Sequence, residues 1–291
     1  MCATRWAMSS SSIASIGRIA GSLLFLLFPA SASMAQRPGP SEPGILRVCA
    51  DPDNLPNSNQ AGEGFENKLA ELLAQSWNSK LEYVWWAAPR GLFSHALNGH
   101  YCDVVIVAPS EMDMATVTKA YFRTGYVMMY RKDSGLNISS LDDPALKTLR
   151  IGVHLFSTDG VNTPPAMALS AHGVVGNLVG FGTTYIGGRD RPEDIIQAVI
   201  DRKIDLAMVW GPLAGFFARN SEVPLVMVPI PDDSVSGIPF SFSVAMAAPR
   251  RDRVLRDSLQ KFLDDKAPAI QSILAEFKVP LFPAAPDSAR R

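Results

Sequence analysis

The sequence predicts an α/β protein made of two successive units of alternating strands and helices. Short apolar runs recur along the chain with helical repeats between them, and apolar residues make up 47% of the sequence. The chain also has 22 prolines and 21 glycines, enough for many sharp turns. Such alternation is typical of parallel sheets covered by helices. A length of 291 residues agrees with two units, at roughly 150 residues for each.

The first 35 residues have the features of an export signal. Arg5 and Arg18 precede an apolar run from Ile19 to Phe28, and small residues follow as far as Ala35. A positive start, a short apolar core and a small-residue end describe a cleavable secretory signal. The apolar core is shorter than the roughly 20 residues of a membrane span, although an uncleaved anchor is the alternative. We therefore predict cleavage after Ala35 and a periplasmic protein with no membrane span after cleavage.

The first unit follows a Pro/Gly-rich leader at 36–44, which we predict to be disordered. An apolar run at 45–50 predicts the first strand, and the turn-forming residues after it predict a loop. Apolar residues on one helical stripe predict a helix over 63–77. Two more strands are predicted at 81–86 and 103–108, with a helix near 89–98 between them.

The alternation begins again after a connector near 129–148. The predicted strands of this second unit are 126–130, 149–153, 178–181, 205–210, 225–228 and 241–247, and the predicted helices are 164–173, 193–202 and 211–219. Two separate helices are predicted to follow. Leu255 and Phe262 mark the stripe of the first, and Ile270 and Phe277 mark the stripe of the second, which starts near Pro268. A tail at 284–291 ends the chain.

Charge and motifs exclude several functions. A formal net charge of −1 gives no basic excess for binding nucleic acid. The sequence lacks the motifs of serine hydrolases, zinc proteases, P-loop NTPases and dinucleotide-binding proteins. None of the four histidines is spaced with another metal ligand. We therefore predict no enzymatic activity, no cofactor and no metal site. The adjacent acidic pairs are predicted to be solvated: Asp142-Asp143, Asp232-Asp233 and Asp264-Asp265.

A binding cleft is predicted at the carboxyl ends of the strands, where ligands bind in open α/β sheets. These ends carry aromatic and small polar residues with few charges, which is typical of a small-molecule or peptide site. We expect one of Trp85 and Trp86 to be buried, without assigning which. Packing between helix and sheet is the alternative for Trp210, and helix capping for Thr163. The predicted cleft residues are Asp51, Asn54, Trp85, Trp86, Ser110, Met112, His154, Thr158, Thr163 and Trp210.

Several runs resemble the type 2 periplasmic solute-binding proteins. They are Arg47 to Pro56, Gly62 to Asn67, Tyr83 to Trp86, Cys102 to Val105, Asp205 to Pro212 and Phe240 to Met246. The resemblance implies two lobes joined by two crossing strands, near 126–131 and 240–246. Lobe one would comprise 45–127 plus 243–283, and lobe two 129–242. Such lobes close by hinge motion, and the implied hinge residues are Tyr126, Tyr130, Ser241 and Ser243.

Three of these runs are more closely similar to one subgroup, the MxaJ/XoxJ type found with quinoprotein methanol dehydrogenases. They are Cys49 to Pro56, Val84 to Trp86 and Val209 to Pro212. This resemblance implies a non-catalytic periplasmic partner of a PQQ-dependent methanol or alcohol dehydrogenase, or of its c-type cytochrome. It would assist maturation or activation through an apolar interlobe cleft. The alternative is an ABC-transporter receptor for a small polar or amphipathic solute. A dehydratase-like enzyme on this fold is a third hypothesis.

One stretch departs from the amino-acid receptors of this fold, and the pairing of the two cysteines is a separate question. The stretch Ser110 to Thr116 lacks the arginine that clamps a ligand carboxylate in those receptors, whereas Met112 and Met114 suit an irregular protein partner. Cys49 and Cys102 would lie about 15 Å apart if their strands were parallel neighbours ending level. A disulfide needs Cα atoms within about 7 Å. We therefore expect free thiols, although an exported protein permits a bridge.

Overall fold

The structure is a computed structural model that describes residues 40–87, 91–155, 163–183 and 191–283. The predicted signal at 1–35 and the predicted tail at 284–291 lie outside these ranges, as does the first half of the leader. Within the described part of the chain, no helix combines the length and apolarity needed to cross a bilayer.

The first lobe begins with a parallel pair of strands covered by one helix. Leu46 and Leu81 are partners in this pair, and a bridge between Val48 and Val104 joins it to the next strand. A short π-helical turn at Leu92–Leu97 lies between the second strand of this pair and the strand that contains Val105. The elements in order are β1 (Ile45–Ala50), β2 (Asp53–Asn54), β3 (Ser58–Asn59), α1 (Phe65–Ser76), β4 (Lys80–Trp85), β5 (Val105–Pro109) and β6 (Thr116–Val117).

The second lobe continues the same alternation of strands and helices. The long strand β7 opens it, and the chain returns to the first lobe through β12. The elements are β7 (Phe122–Arg131), β8 (Ile151–Leu155), α2 (Pro164–Ala171), β9 (Leu178–Gly182), α3 (Asp194–Ile200), β10 (Leu206–Trp210), α4 (Gly211–Ala218), β11 (Leu225–Pro229), β12 (Ser241–Ala248) and α5 (Arg253–Glu276).

One central sheet runs through both lobes, in the order β5-β12-β7-β10-β8-β9. Strand β7 pairs with β12 over residues 122–125. Beyond that point it pairs with β10 over 126–129 and with β11 over 127–131. The two halves of β7 therefore belong to different lobes.

Among the described residues, four clusters of buried side chains fill the two lobes. In the first lobe, one cluster contains Phe65 and Leu259 between α1 and α5, and another surrounds Cys49 beside the π-helical turn. In the second lobe, Met128 belongs to one cluster and Val127 to the other. These two residues are neighbours in β7, so the opposite faces of this strand pack into different cores.

The expectation of free cysteines is wrong, because Cys49 and Cys102 form a disulfide with Cα atoms 5.5 Å apart. The two strands do not end level. The bridge between Val48 and Val104 places the end of β1 beside the start of β5. This offset shortens the separation, and the irregular segment before β5 brings Cys102 the rest of the way to Cys49. In that segment Asp103 N donates to Arg47 O at 2.9 Å.

The prediction of two C-terminal helices is also wrong. A single helix, α5, runs from Arg253 to Glu276 with Pro268 inside it. Pro268 is exposed, so its ring meets solvent instead of the core. The apolar stripe continues past it, because Leu263 before it and Ile270 after it are both buried in the first-lobe core.

The second half of the leader is ordered, contrary to the prediction for 36–44. Ser41 N donates to the Asp103 carboxylate at 2.9 Å, and Lys80 N donates to Gly44 O at 2.8 Å. Glu42 pairs with Arg47 in β1. These contacts hold residues 40–44 against the edge of the first lobe.

Removing the disulfide should destabilise the protein. Replacing Cys49 and Cys102 by alanine removes a cross-link between positions 53 apart, which should lower the free energy of unfolding by about 4 kcal/mol in the chain-entropy account. Urea denaturation of the wild type and the double variant measures this loss, and the wild type with reductant is the control. The chain without its first 35 residues is also denatured without reductant and treated with an alkylating agent. Alkylation of two thiols would contradict the bridge.

Candidate functional site

The loop after β1 is held by its own hydrogen bonds. Asp53 N donates to the Asp51 carboxylate at 3.0 Å, and Ser58 Oγ donates to Asp51 O at 2.8 Å. Asn57 N donates to Asn54 O at 2.8 Å, which closes the β2–β3 hairpin. Asp51 and Asn54 are half-buried. Both predicted residues therefore lie in a fixed loop at the carboxyl end of β1.

A buried acid, Glu66, lies behind this loop and was not predicted. It is in the first turn of α1 and is only 9% exposed. Burial raises the pKa of its carboxyl to about 8, with a hydrogen bond from Ser58 opposing the rise and the charge of Asp51 adding to it. Helical spacing carried a signal, because Glu66 lies three residues before Leu69 and seven before Leu73, on the buried stripe.

The two tryptophans at the end of β4 have different neighbours. One of them was expected to be buried, but both are half-buried. Trp85 stacks on Tyr83, with ring centroids 4.5 Å apart and planes inclined by 17°. Trp86 packs on the cluster around the disulfide, and its ring is 6.1 Å from that of Tyr101. Tyr101 is 61% exposed. The end of β4 thus presents half-buried aromatic rings.

Ser110 and Met112 follow the carboxyl end of β5. Ser110 N donates to Ser243 O at 2.9 Å, which joins this loop to the hinge strand β12. Met112 is half-buried against the same cluster as Trp86, and Met114 is 52% exposed. The structure therefore brings Trp86 and Met112 onto one patch of the first lobe.

His154 and Thr163 are buried and have partners inside the protein. Nε2 of His154 lies 2.8 Å from Pro192 O, and Thr163 Oγ1 donates to His154 O at 2.6 Å. Burial lowers the pKa of His154, which favours the neutral ring. In this structure both residues support the end of β8 instead of offering free groups to a ligand. Thr158, predicted beside them, lies outside the described residues.

Four aromatic residues meet where β7 crosses between the lobes, and we call them the hinge aromatic cluster. The ring of Tyr126 is 5.3 Å from that of Trp210, 6.1 Å from Phe240 and 6.3 Å from Phe242. Trp210 and Phe242 are themselves 5.8 Å apart. Trp210 is the direct partner of Tyr126 in the sheet. Trp210 was predicted as a cleft residue and Tyr126 as a hinge residue. Phe240 and Phe242 were not predicted, because the sequence around β12 gave no sign that these rings join the cluster.

The remaining predicted hinge residues lie in the two crossing strands. Tyr130 is buried in the second-lobe core. Ser241 pairs with Gly125, and Ser243 pairs with Arg123. The guanidinium of Arg123 contacts Ser241 Oγ and lies 3.9 Å from the Asp232 carboxylate.

The prediction of solvated acidic pairs is wrong for Asp233. Its side chain is only 6% exposed and lies 3.1 Å from Nε2 of His172, whose Nδ1 is 3.0 Å from Asp142. Burial would raise the pKa of Asp233, but hydrogen bonds from Ser236, His172 and Val235 outweigh it and hold the pKa below its ordinary value. The adjacent Asp232 accepts from Phe240 N at 2.8 Å. This pair therefore fixes the loop that leads into β12.

Two surface cavities lie away from the predicted cleft residues. One of about 370 Å³ lies between Trp77 and Phe262, and one of about 490 Å³ lies between Lys68 and Phe216. None of the predicted cleft residues lines either of them. Across the described ranges, no group of three or more His, Cys, Asp or Glu residues is placed to hold a metal ion.

The sequence pattern of the family described as bacterial extracellular solute-binding protein matches residues 67–277. The chain belongs to this family. The predicted type 2 periplasmic-binding fold with two lobes is confirmed by this solute-binding family and by solved structures that share the architecture.

Relatives within the solute-binding family include Protein MoxJ of Methylorubrum extorquens. It is 30% identical over 264 residues, which are 86% of this chain and 86% of the relative. The crystal structure of MxaJ from Methlophaga aminisulfidivorans is 28% identical and has a TM-score of 0.71, over 82% of this chain and 100% of that one. The periplasmic binding protein XoxJ from Methylobacterium extorquens is 32% identical with a TM-score of 0.66, at the same two coverages. The resemblance to the MxaJ/XoxJ type is thereby confirmed.

Replacing Glu66 by glutamine should flatten the pH dependence of stability. The carboxyl has a pKa of about 8 in the fold against an ordinary value of 4.5. The wild type should therefore lose stability as the pH rises through this interval, because the fold favours the protonated acid. The Glu66→Gln variant lacks this loss and should exceed the wild type by a few kcal/mol above about pH 8.

Urea denaturation at about pH 5 and about pH 8.5 measures the effect of Glu66→Gln. Glu276→Gln, at an exposed position of α5, is the matched control and should leave the pH dependence unchanged. Parallel stability curves for the wild type and the Glu66→Gln variant would show that Glu66 is ionised in the fold.

Proposed function

We propose that this protein is a non-catalytic periplasmic member of the solute-binding family that assists the maturation or activation of a PQQ-dependent methanol or alcohol dehydrogenase. Its interlobe cleft would receive a segment of the dehydrogenase, or of the c-type cytochrome that works with it. The observation that carries the proposal is the similarity to MoxJ, MxaJ and XoxJ over more than four-fifths of the chain.

The residues at the strand ends support a protein segment as the ligand. Trp210 and Phe242 offer apolar aromatic surface at the crossing between the lobes, and Trp86 and Met112 offer more in the first lobe. Apolar rings and a flexible thioether adapt to side chains of irregular shape. The stretch 110–116 has no arginine to clamp a free carboxylate. These features favour an uncharged segment over a free amino acid.

The proposed cleft would lie between two lobes joined at a hinge. We propose the lobe limits 45–127 with 243–283 for the first lobe and 129–242 for the second. The hinge would then lie at Tyr126, Tyr130, Ser241 and Ser243, in β7 and β12. The change of partner strands along β7 supports this division.

A receptor for an ABC transporter is the second candidate, and membership of the solute-binding family favours it. Its ligand would be a small polar or amphipathic solute. A thermal-shift screen of metabolites tests this candidate, because a ligand at 100 times its dissociation constant stabilises the folded state by about 2.7 kcal/mol. A shift of that size with one solute, together with uptake of that solute that requires a permease, would favour the receptor over the dehydrogenase partner.

Deletion of the gene, followed by assay of the purified dehydrogenase, tests the favoured proposal directly. We expect dehydrogenase from the deletion strain to have reduced activity that returns when the wild-type chain is restored. Pull-down with the tagged chain should capture the dehydrogenase or its cytochrome. Full activity in the deletion strain, with no complex detected, would reject the proposal.

Replacing Trp210 by alanine should weaken the complex by at least tenfold, because a buried aromatic anchor commonly contributes more than 1.4 kcal/mol to an interface. Trp77→Ala is the matched control, since Trp77 is also half-buried but lies at the end of α1, away from the strand ends. Both variants are compared at equal folded fractions by binding to the immobilised dehydrogenase. Equal weakening by the two replacements would argue against a role for Trp210 in binding.

A further inference from the structure

A segment after the end of α5 contacts both lobes. Lys278 adopts a left-handed conformation, with φ of 54°, and this turns the chain away from the helix axis. Residues 278–283 then run back to the hinge. We call this segment, Lys278 to Pro283, the C-terminal strap.

The strap is fixed to the first-lobe half of β7. Phe282 N donates to Arg123 O at 2.8 Å, and Arg123 Nη1 donates to Pro283 O at 3.2 Å. Val279 is 6% exposed and belongs to the first-lobe core with Phe65 and Leu274. Both ends of the strap therefore have partners in the first lobe.

The same segment also packs against the second lobe. The ring of Phe282 lies on the second-lobe cluster that contains Val127 and Leu213. Lys278 O faces α4 so closely that a Cβ atom placed on Gly215 would be 1.9 Å from it. The side chain of Phe216, from α4, enters the first-lobe core and stacks on Phe277 at 5.6 Å between centroids. The strap and α4 thus form a packed contact between the lobes.

Hinge motion would have to shear this contact. The lobes share β7, so their relative rotation requires a twist of that strand between its two halves. Phe282 is bonded to the first half of β7 while its ring packs on the second lobe. Packed side chains and backbone in direct contact do not deform continuously, so the twist must detach the ring or move α4 from Lys278.

We propose that the C-terminal strap holds the two lobes within a narrow range of relative orientation. The protein then acts as a receptor of nearly fixed geometry instead of closing widely on its ligand. The inference rests on the contacts that the strap and α4 make between the lobes, and it does not require a dehydrogenase partner. It concerns the motion of the lobes, whatever ligand the cleft takes.

Distance measurements between spin labels on the two lobes test the strap. Gln75→Cys in α1 and Ser170→Cys in α2 provide exposed label positions, and the disulfide keeps Cys49 and Cys102 unlabelled. We expect a narrow distance distribution in the otherwise wild-type chain. Phe282→Ala should at least double its width, because the ring that joins the lobes is removed.

Leu281→Ala is the matched control, since Leu281 is in the same strap but 46% exposed. It should leave the distribution unchanged. If Phe282→Ala does not fold, Phe282→Leu keeps apolar bulk while losing the ring, and should widen the distribution to a smaller extent. Equal distance distributions for the Phe282 variant and Leu281→Ala would overturn the proposal. A distribution in the starting protein that is already as broad as that of the Phe282 variant would also overturn it. A lower melting temperature without a change in distances would also overturn it, since it would show a purely stabilising role.

Discussion

The architecture depends on one strand that supplies hydrogen bonds to both lobes. Strand β7 pairs with β12 as far as residue 125. From residue 126 onward it pairs instead with β10 and β11. Phe122 in its first half enters the first-lobe core, and alternate side chains in its second half enter the two cores of the second lobe, so its register fixes the packing of both lobes together. At the crossing, a Cβ atom on Gly125 would lie 2.1 Å from Phe240 O. The backbones approach so closely there that only glycine fits.

The character of the candidate site follows from what surrounds this crossing. Charged groups near the hinge are already paired or hydrogen-bonded within the protein, as Arg123 is with Ser241 and Asp232 with Phe240 N. Beside them, Tyr126, Trp210 and Phe242 present half-buried aromatic rings. A polar ligand would gain few new hydrogen bonds from such a surface and would lose those it makes with water. An apolar segment has less to lose on desolvation, and this physical difference underlies the proposed choice of ligand.

The sequence was sufficient for the class of fold and for the order of the elements, because apolar periodicity records which faces are buried. It failed where the outcome depends on the offset between distant segments. The stagger of β1 and β5, which brings Cys49 to Cys102, has no local signal. Pro268 is a local signal for a helix start, yet burial of the stripe on both sides of it keeps α5 continuous.

Within the site, sequence reasoning located strand ends but not the direction of side chains. Trp85, Trp86 and Trp210 were identified because they follow apolar runs. His154 follows one too, yet its ring turns inward to Pro192 O. Phe242, which meets Trp210 in the hinge aromatic cluster, comes from β12, about 30 residues later. Such pairs are set by the topology of the sheet. Residues whose role depends on tertiary neighbours therefore escaped prediction.

The cross-link between Cys49 and Cys102 also bears on when the chain becomes a stable protein. It encloses the loop with Asp51, α1, β4 and the π-helical turn, all of them in the first lobe. Thiols stay reduced in the cytosol and are oxidised outside it. A chain still inside the cell would therefore lack the constraint that secures its first lobe, and would be easier to keep unfolded for passage through a secretion channel. If the chain is exported as its first 35 residues predict, oxidation would secure the lobe only after transport is complete.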